Sequence, residues 1–135
     1  MTFDANTIRL FLHVLSVAVW VGGQIVLAGL VPVLRRMGPD APKAVAQQFN
    51  KIAWPAFALA VITGIWNLAE VDVGDRSSGY HAALLVKLLL VALSGVAAFL
   101  HARARSRPHL AFWGAMTGAS ALAALLFGAI LATSA

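Results

Sequence analysis

Four long apolar runs constrain this 135-residue chain more than any other feature of its sequence. They lie at 8–33, 52–68, 82–100 and 110–132. The hydrocarbon core of a bilayer is about 30 Å thick, and a helix that rises about 1.5 Å per residue needs roughly 20 apolar residues to cross it. The sequence therefore predicts an all-α protein: an integral membrane bundle of four transmembrane helices, forming one domain over residues 1–135.

The composition excludes several other classes of protein. Apolar residues make up 61% of the chain and charged residues 11%, whereas soluble domains carry roughly 45–50% and about 25%. A net charge of +5 would raise the question of a nucleic-acid partner in a soluble protein. Here the cations separate apolar runs, so membrane topology explains them and no nucleic-acid partner is expected. The absence of cysteine excludes a disulfide scaffold.

The distribution of basic residues predicts the orientation in the membrane. Lysine and arginine near the ends of spans stay on the cytoplasmic side. The segments after the first and third runs carry most of them: Arg35, Arg36, Lys43, Lys51, Arg103, Arg105 and Arg107. The other side receives four of the five acidic residues. We therefore expect a protein of the cytoplasmic (inner) membrane with both termini outside. Asp4 and the length of the first run do not fit a cleaved signal peptide, so this run is predicted to be a mature helix.

Polar residues inside the spans are the candidates for function, because a charge at a helix centre costs about 2.5–3.5 kcal/mol. At about 1.5 Å per residue, Lys87 lies about 10 Å deep and His13 about 12 Å deep, both counted from the outer side. Thr63, Asn67 and Glu70 follow one another at i, i+4 and i+7. The first and third runs each have a similar polar stripe at helical spacing: Arg9, His13, Ser16, Trp20, Gly23 and Gln24 on the first, and Tyr80, Lys87, Ser94 and His101 on the third. The three stripes predict a polar groove that opens to the outer face and is lined by His13, Thr63, Asn67, Glu70 and Lys87. The alternative is that these groups only join helices through hydrogen bonds.

The last run is rich in small residues, including the GxxxG step of Gly114 and Gly118. Such a face is typical of close helix packing. It is compatible with packing inside the chain, with a homodimer or with a place in a larger membrane complex.

Motifs for hydrolysis, nucleotide binding and thiol redox chemistry are missing from the sequence. Soft ligands are scarce too, because the chain has no cysteine and only Met116 lies within a run. Imidazole and carboxylate groups on the outer side remain. They suit oxidised copper, and a single axial imidazole suits haem.

The chain resembles the membrane domain of the copper-resistance D (CopD-like) family over its first three runs. The resemblance implies copper handling at the cytoplasmic membrane. It is carried by Leu12-His13 through Trp20-Val21-Gly22-Gly23, Pro32, Arg35-Arg36, Phe49 through Trp54-Pro55, Thr63-Gly64, Gly79-Tyr80 and Leu84 through Leu88.

The first run is also similar to that of the HemJ-type protoporphyrinogen oxidases, which are four-helix haem-b proteins. In that family a histidine precedes a tryptophan by seven residues, as His13 and Trp20 do here, and the third span holds a lysine that matches Lys87. The family also has a histidine where this chain has Leu85 and an arginine where it has Gly29. These departures argue against oxidase activity, while His13 as an axial haem ligand stays compatible with the resemblance.

Three functional hypotheses follow from the sequence. In the first, the protein assists copper transport or retention from the outer face, with His13, Asn67 and Glu70 as ligands and Lys87 tuning the occupancy. In the second, a b-type haem is held by His13, and its propionates meet Lys87 or Arg9. In the third, the chain is a ligand-free structural or accessory membrane subunit.

Overall fold

A computed structural model describes residues 3–134 and shows an all-α chain, with no strand in that range. Four helices are long and apolar enough to cross a membrane. We number them α1 (Ala5–Met37), α2 (Ala41–Glu70), α3 (Ser78–Arg103) and α4 (Arg107–Thr133). The predicted all-α class and the four membrane-spanning helices are confirmed. Each helix extends beyond the apolar run that predicted it.

The helix ends lie where the local sequence favours a break. Gly38, at φ 155°, ends α1 in a backbone conformation that side chains disfavour, and Pro39 follows it. Pro42 and Pro108 lie in the first turns of α2 and α4, where a missing N–H costs no helical hydrogen bond. The side chain of Ser77 caps α3 by accepting a hydrogen bond from the Tyr80 N–H.

The side chain of Asp4 caps α1. Its Oδ1 accepts hydrogen bonds from the Thr7 N–H at 2.9 Å and from the Thr7 hydroxyl at 3.0 Å. The backbone hydrogen bond from Thr7, and then the one from its hydroxyl, hold the pKa of this carboxyl below its ordinary value of 3.8. The charged form is therefore the one that the folded helix favours.

We expect the stabilisation by this cap to depend on pH. Because the folded-state pKa is lowered, the contribution is fully present above the ordinary pKa and is lost as the pH falls through the folded-state value. Asp4→Ala should therefore lower the thermal midpoint more at pH 7 than at pH 2.5, measured by circular dichroism in detergent. Asp4→Asn keeps a hydrogen-bond acceptor, so it should lower the thermal midpoint at pH 7 by less than Asp4→Ala does. An equal loss for Asp4→Ala at both pH values would contradict this account.

Contacts divide the chain into two compact units, Met1–Val71 and Asp72–Ala135. In the first unit, α1 packs against α2. A π-helical turn, Ala18–Gly22, interrupts α1 and contains the buried Trp20. The Trp20 ring lies 4.5 Å from Phe57 and 5.3 Å from Trp54, measured between centroids. The aromatic contacts lie within the range of favourable ring pairs and anchor the distorted turn on α2.

In the second unit, α3 and α4 pack along each other. Two buried hydroxyls bond reciprocally across them: Ser94 Oγ donates to the Thr117 carbonyl at 3.0 Å, and Thr117 Oγ1 donates to the Ser94 carbonyl at 2.8 Å. Gly114 faces α3, since a Cβ atom placed on it would lie 3.1 Å from the His101 ring. This glycine of the GxxxG step is therefore used for packing within the unit.

Large apolar side chains cover the outer surfaces of these helices. Phe11, Val26, Leu89 and Leu126 are each about 60% exposed. Most buried positions hold small or hydroxyl side chains, among them Ser16, Thr63, Ala97, Ser120 and Ala121. Lipid-exposed helices associate through such small residues and polar contacts, because lipid is as apolar as leucine. The chain is therefore a multi-pass membrane protein.

Candidate functional site

The site is centred on His13, which lies half-buried on α1 and is fixed by a hydrogen bond to α2. Its Nδ1 lies 2.8 Å from Oγ1 of Thr63, a residue that is only 1% exposed. The Thr63 hydroxyl donates its proton to the Leu59 carbonyl at 2.7 Å. Because a hydroxyl has one proton, Thr63 must accept from the imidazole, and Nδ1 carries the hydrogen.

The direction of this hydrogen bond decides the chemistry of the ring. When Nδ1 of a neutral imidazole is protonated, Nε2 bears the lone pair. Metal-bound histidines in proteins commonly have this arrangement, with one nitrogen on the metal and the other donating to a protein oxygen. The Thr63 hydroxyl therefore favours the tautomer of His13 in which Nδ1 carries the proton and Nε2 carries the lone pair.

A glycine of α2 lies beside the His13 ring. A Cβ atom placed on Gly64 would lie 3.6 Å from the imidazole Cε1, so glycine leaves room beside the ring. One turn further along α1, the Ser16 hydroxyl donates to the His13 carbonyl at 2.9 Å. The hydroxyl of Ser16 is thereby satisfied inside the helix.

Arg9 precedes His13 by one turn of α1. Its Nε and Nη1 atoms are buried and have no hydrogen-bond partner within the described residues. Buried guanidinium nitrogens without a partner cost free energy unless an acceptor or an anion meets them. Gln24 lies just beyond the π-helical turn. Its amide nitrogen and oxygen are also buried and have no hydrogen-bond partner within the described residues. Arg9 and Gln24 both lie on the polar stripe of α1. Helical spacing alone could not predict that their polar atoms would be buried without hydrogen-bond partners.

The predicted oxygen ligands lie on the helix that holds Thr63. Asn67, one turn further along α2, is half-buried, and Glu70 is exposed at the end of the helix. Neither side chain makes a hydrogen bond or ion pair within residues 3–71. Among residues 3–134, no three histidine or acidic side chains come together as a metal site. Ligation by His13, Asn67 and Glu70 stays a prediction.

Lys87 lies in the second unit, half-buried on α3. Its Nζ would lie 3.4 Å from a Cβ atom placed on Gly128 of α4. Because Gly128 has no side chain, the Lys87 ammonium can approach α4 closely at this position. A role for Lys87 beside a haem propionate or a copper site stays a prediction.

The other three histidines make local bonds near helix ends. A ring nitrogen of His81 bonds to the Val73 carbonyl, and His101 Nδ1 bonds to the Leu110 carbonyl at 2.8 Å. His109 Nδ1 lies 2.6 Å from the Ser106 hydroxyl. His13 is therefore the histidine that lies well inside a spanning helix, away from the helix ends.

Comparison with known proteins adds no relative: no family model, no curated protein and no solved structure matches this chain. The resemblances to the CopD-like and HemJ-type families therefore rest on the sequence patterns alone.

Proposed function

We propose that this chain is a membrane protein that binds a transition metal through His13, in the form of b-type haem. The observation that carries the proposal is the His13–Thr63 hydrogen bond, because it presents the metal-binding tautomer of a histidine held inside a span. Haem, when bound, supplies one-electron chemistry. The polypeptide would bind and orient it.

Haem fits the available donors because it needs few protein ligands. Its iron can be held by one proximal imidazole, whereas an ion without a macrocycle needs several side chains. Carboxylates of haem also need cations. One turn from His13, the Arg9 side chain has two buried guanidinium nitrogens without a hydrogen-bond partner within the described residues. Gly64 has no side chain and lets α2 approach the edge of the imidazole closely.

A copper ion is the second candidate, favoured by the spacing of groups on α2. Asn67 and Glu70 follow Thr63 at i+4 and i+7, so they share its face of the helix. Amide and carboxylate oxygens with one imidazole suit oxidised copper. The protein would then assist copper transport or retention.

Absorption spectra and metal analysis of protein from haem- and copper-replete cells test the proposal. Wild-type protein should show a Soret band, and His13→Ala should lose it. His109→Ala is the matched control, because this exposed histidine lies in the first turn of α4, before the apolar run, and it should keep the band. A colourless wild type that gains no Soret band with hemin would contradict haem binding. Copper that is present in wild type and absent from His13→Ala would then support the second candidate, and no ligand at all would support a structural subunit.

We also propose that the protein lies in the cytoplasmic membrane with both termini outside, since the segments after α1 and α3 carry most of the cations. The chain has no cysteine, so single substitutions give clean labelling sites. A membrane-impermeant maleimide should label Ser78→Cys, at the start of α3, in intact cells. Ser106→Cys, which precedes α4, should react only after permeabilisation. The opposite pattern would reverse the topology.

A further inference from the structure

The connection between α3 and α4 carries three arginines within five residues: Arg103, Arg105 and Arg107. Arg103 is the last residue of α3, and Arg107 is the first residue of α4. All three are exposed. Because four residue steps of a chain span at most about 14 Å, the three cations share one small region of the surface. We call these three residues the arginine turn.

The acidic residues of the second unit lie at its opposite end. Asp72 and Asp75 are the last acidic residues of the sequence, and both precede α3. The helix separates them from Arg103 by about 38 Å, at about 1.5 Å per residue. This distance is several times the Debye length of about 8 Å at physiological ionic strength. Within residues 72–134, no acidic residue therefore neutralises the arginine turn.

The side chains of the arginine turn have unused hydrogen-bond donors. None of the three makes a hydrogen bond or ion pair within residues 72–134. The Arg103 guanidinium lies over the Phe99 ring, with 4.6 Å between its Cζ atom and the ring centroid. This contact restrains the guanidinium but supplies no oxygen acceptor for its N–H groups. An arginine in this state can donate two parallel hydrogen bonds to a phosphate.

Exposed aromatic side chains adjoin the arginine turn on both helices. Phe99 lies one turn before Arg103 and is 49% exposed, and Phe112, early in α4, is 55% exposed. The Phe112 ring packs edge-on against Trp113, with 4.8 Å between the centroids. Aromatic residues of membrane proteins collect at the level of the headgroups. In a bilayer, the arginine turn therefore lies among the headgroups, with aromatic rings beside the upper acyl chains.

We propose that the arginine turn binds the phosphate of an anionic phospholipid, whose acyl chains lie against Phe99 and Phe112. A lipid is favoured over a soluble phosphate compound, because the ligand must meet cations and exposed apolar side chains together. An anionic headgroup is favoured over a zwitterionic one, because no carboxylate of the second unit is near enough to meet an amine. The proposal is independent of the His13 site and of the orientation in the membrane.

Native mass spectrometry of the full chain in detergent tests the proposal, with phosphatidylglycerol and phosphatidylcholine of identical acyl chains as probes. Wild type should retain phosphatidylglycerol in preference to phosphatidylcholine. Arg103→Gln should weaken the binding of phosphatidylglycerol about fivefold, since it removes one cation from the anionic headgroup. Adding Arg105→Gln and Arg107→Gln should weaken it roughly 100-fold, because each cation contributes a similar factor.

Arg76→Gln is the matched control. Arg76 is also exposed, and its guanidinium lies 5.2 Å from the centroid of an aromatic ring, that of Tyr80. It differs from Arg103 in having Asp72 and Asp75 nearby in the sequence. This variant should bind phosphatidylglycerol as wild type does. Equal losses in Arg76→Gln and Arg103→Gln, or wild-type binding by the triple variant, would overturn the proposal.

Further measurements check the folding of the variants and the source of the phosphate. Circular dichroism and size-exclusion chromatography report folding, and Arg103→Gln changes only one exposed side chain if the triple variant unfolds. Glycerophosphoglycerol has the same headgroup without acyl chains, so it should not displace phosphatidylglycerol at equal concentration. Displacement by it would overturn the assignment to a lipid. Displacement by a short single-stranded oligonucleotide at equal concentration would also overturn it, and would assign the arginine turn to nucleic acid.

Discussion

Replacing Thr63 with valine is expected to weaken hemin binding about 10- to 100-fold, the usual effect of removing the hydrogen-bond partner of a metal-bound histidine. Valine has nearly the shape of threonine but lacks the hydroxyl that accepts from His13 Nδ1 at 2.8 Å. The imidazole would then lose the bond that fixes its tautomer and its orientation. The dissociation constant can be measured by following the Soret band during titration with hemin.

Two control variants separate this positioning role from a general loss of stability. Thr63→Ser keeps a hydroxyl and should retain binding close to that of wild type. Thr117→Val removes another buried threonine hydroxyl, in the second unit, where it bonds to Ser94. Wild-type affinity in Thr63→Val would show that this hydrogen bond does not orient the ligand. An equal loss in Thr117→Val would assign the effect to folding.

The length and hydropathy of the apolar runs were sufficient to predict the four spans, but they underestimated the lengths of the helices. The first apolar run ends at Val33, yet α1 continues through Arg35 and Arg36 to Met37. Similarly, α2 begins at Ala41, eleven residues before its apolar run. Polar residues at membrane interfaces form helical hydrogen bonds as readily as apolar ones do, so hydropathy does not mark where such helices end.

The π-helical turn at Ala18–Gly22 could not be predicted from periodicity. One extra residue per turn changes the direction of every later side chain on α1, and the contacts that favour it come from another helix. The structure places Trp20 of this turn against Trp54 and Phe57 of α2. The sequence shows that these aromatic residues are present, but it does not show which of them contact one another.

The candidate site was predicted in part. Helical spacing placed His13 and Thr63 on polar stripes, and the structure joins them directly. The choice of Thr63 as the partner depends on how α1 and α2 are rotated about their axes, which one sequence does not specify. The contact of Lys87 with Gly128 is of the same kind, because several small residues of α4 could have met the lysine.

Close packing at Gly23 leads to the second large expected effect. A Cβ atom placed there would lie 2.4 Å from Cε1 and 2.6 Å from Cζ of Phe49 on α2. These distances are far below van der Waals contact, so the Phe49 ring would have to move. Overpacking of this kind typically costs about 1–3 kcal/mol.

Gly23→Ala should therefore lower the free energy of unfolding by about 1–3 kcal/mol relative to Gly29→Ala, measured by denaturant titration in detergent. Gly29 lies on the same helix with open space around its Cβ position, so alanine there should be neutral or stabilise the helix by about 0.5–1 kcal/mol. Phe49→Leu removes the ring atoms that the new methyl group would meet. In that background the penalty of Gly23→Ala should largely disappear, since the two side chains interact directly. A penalty of the same size with leucine at position 49 would mean that the backbones of α1 and α2, and not the Phe49 ring, limit the space at Gly23.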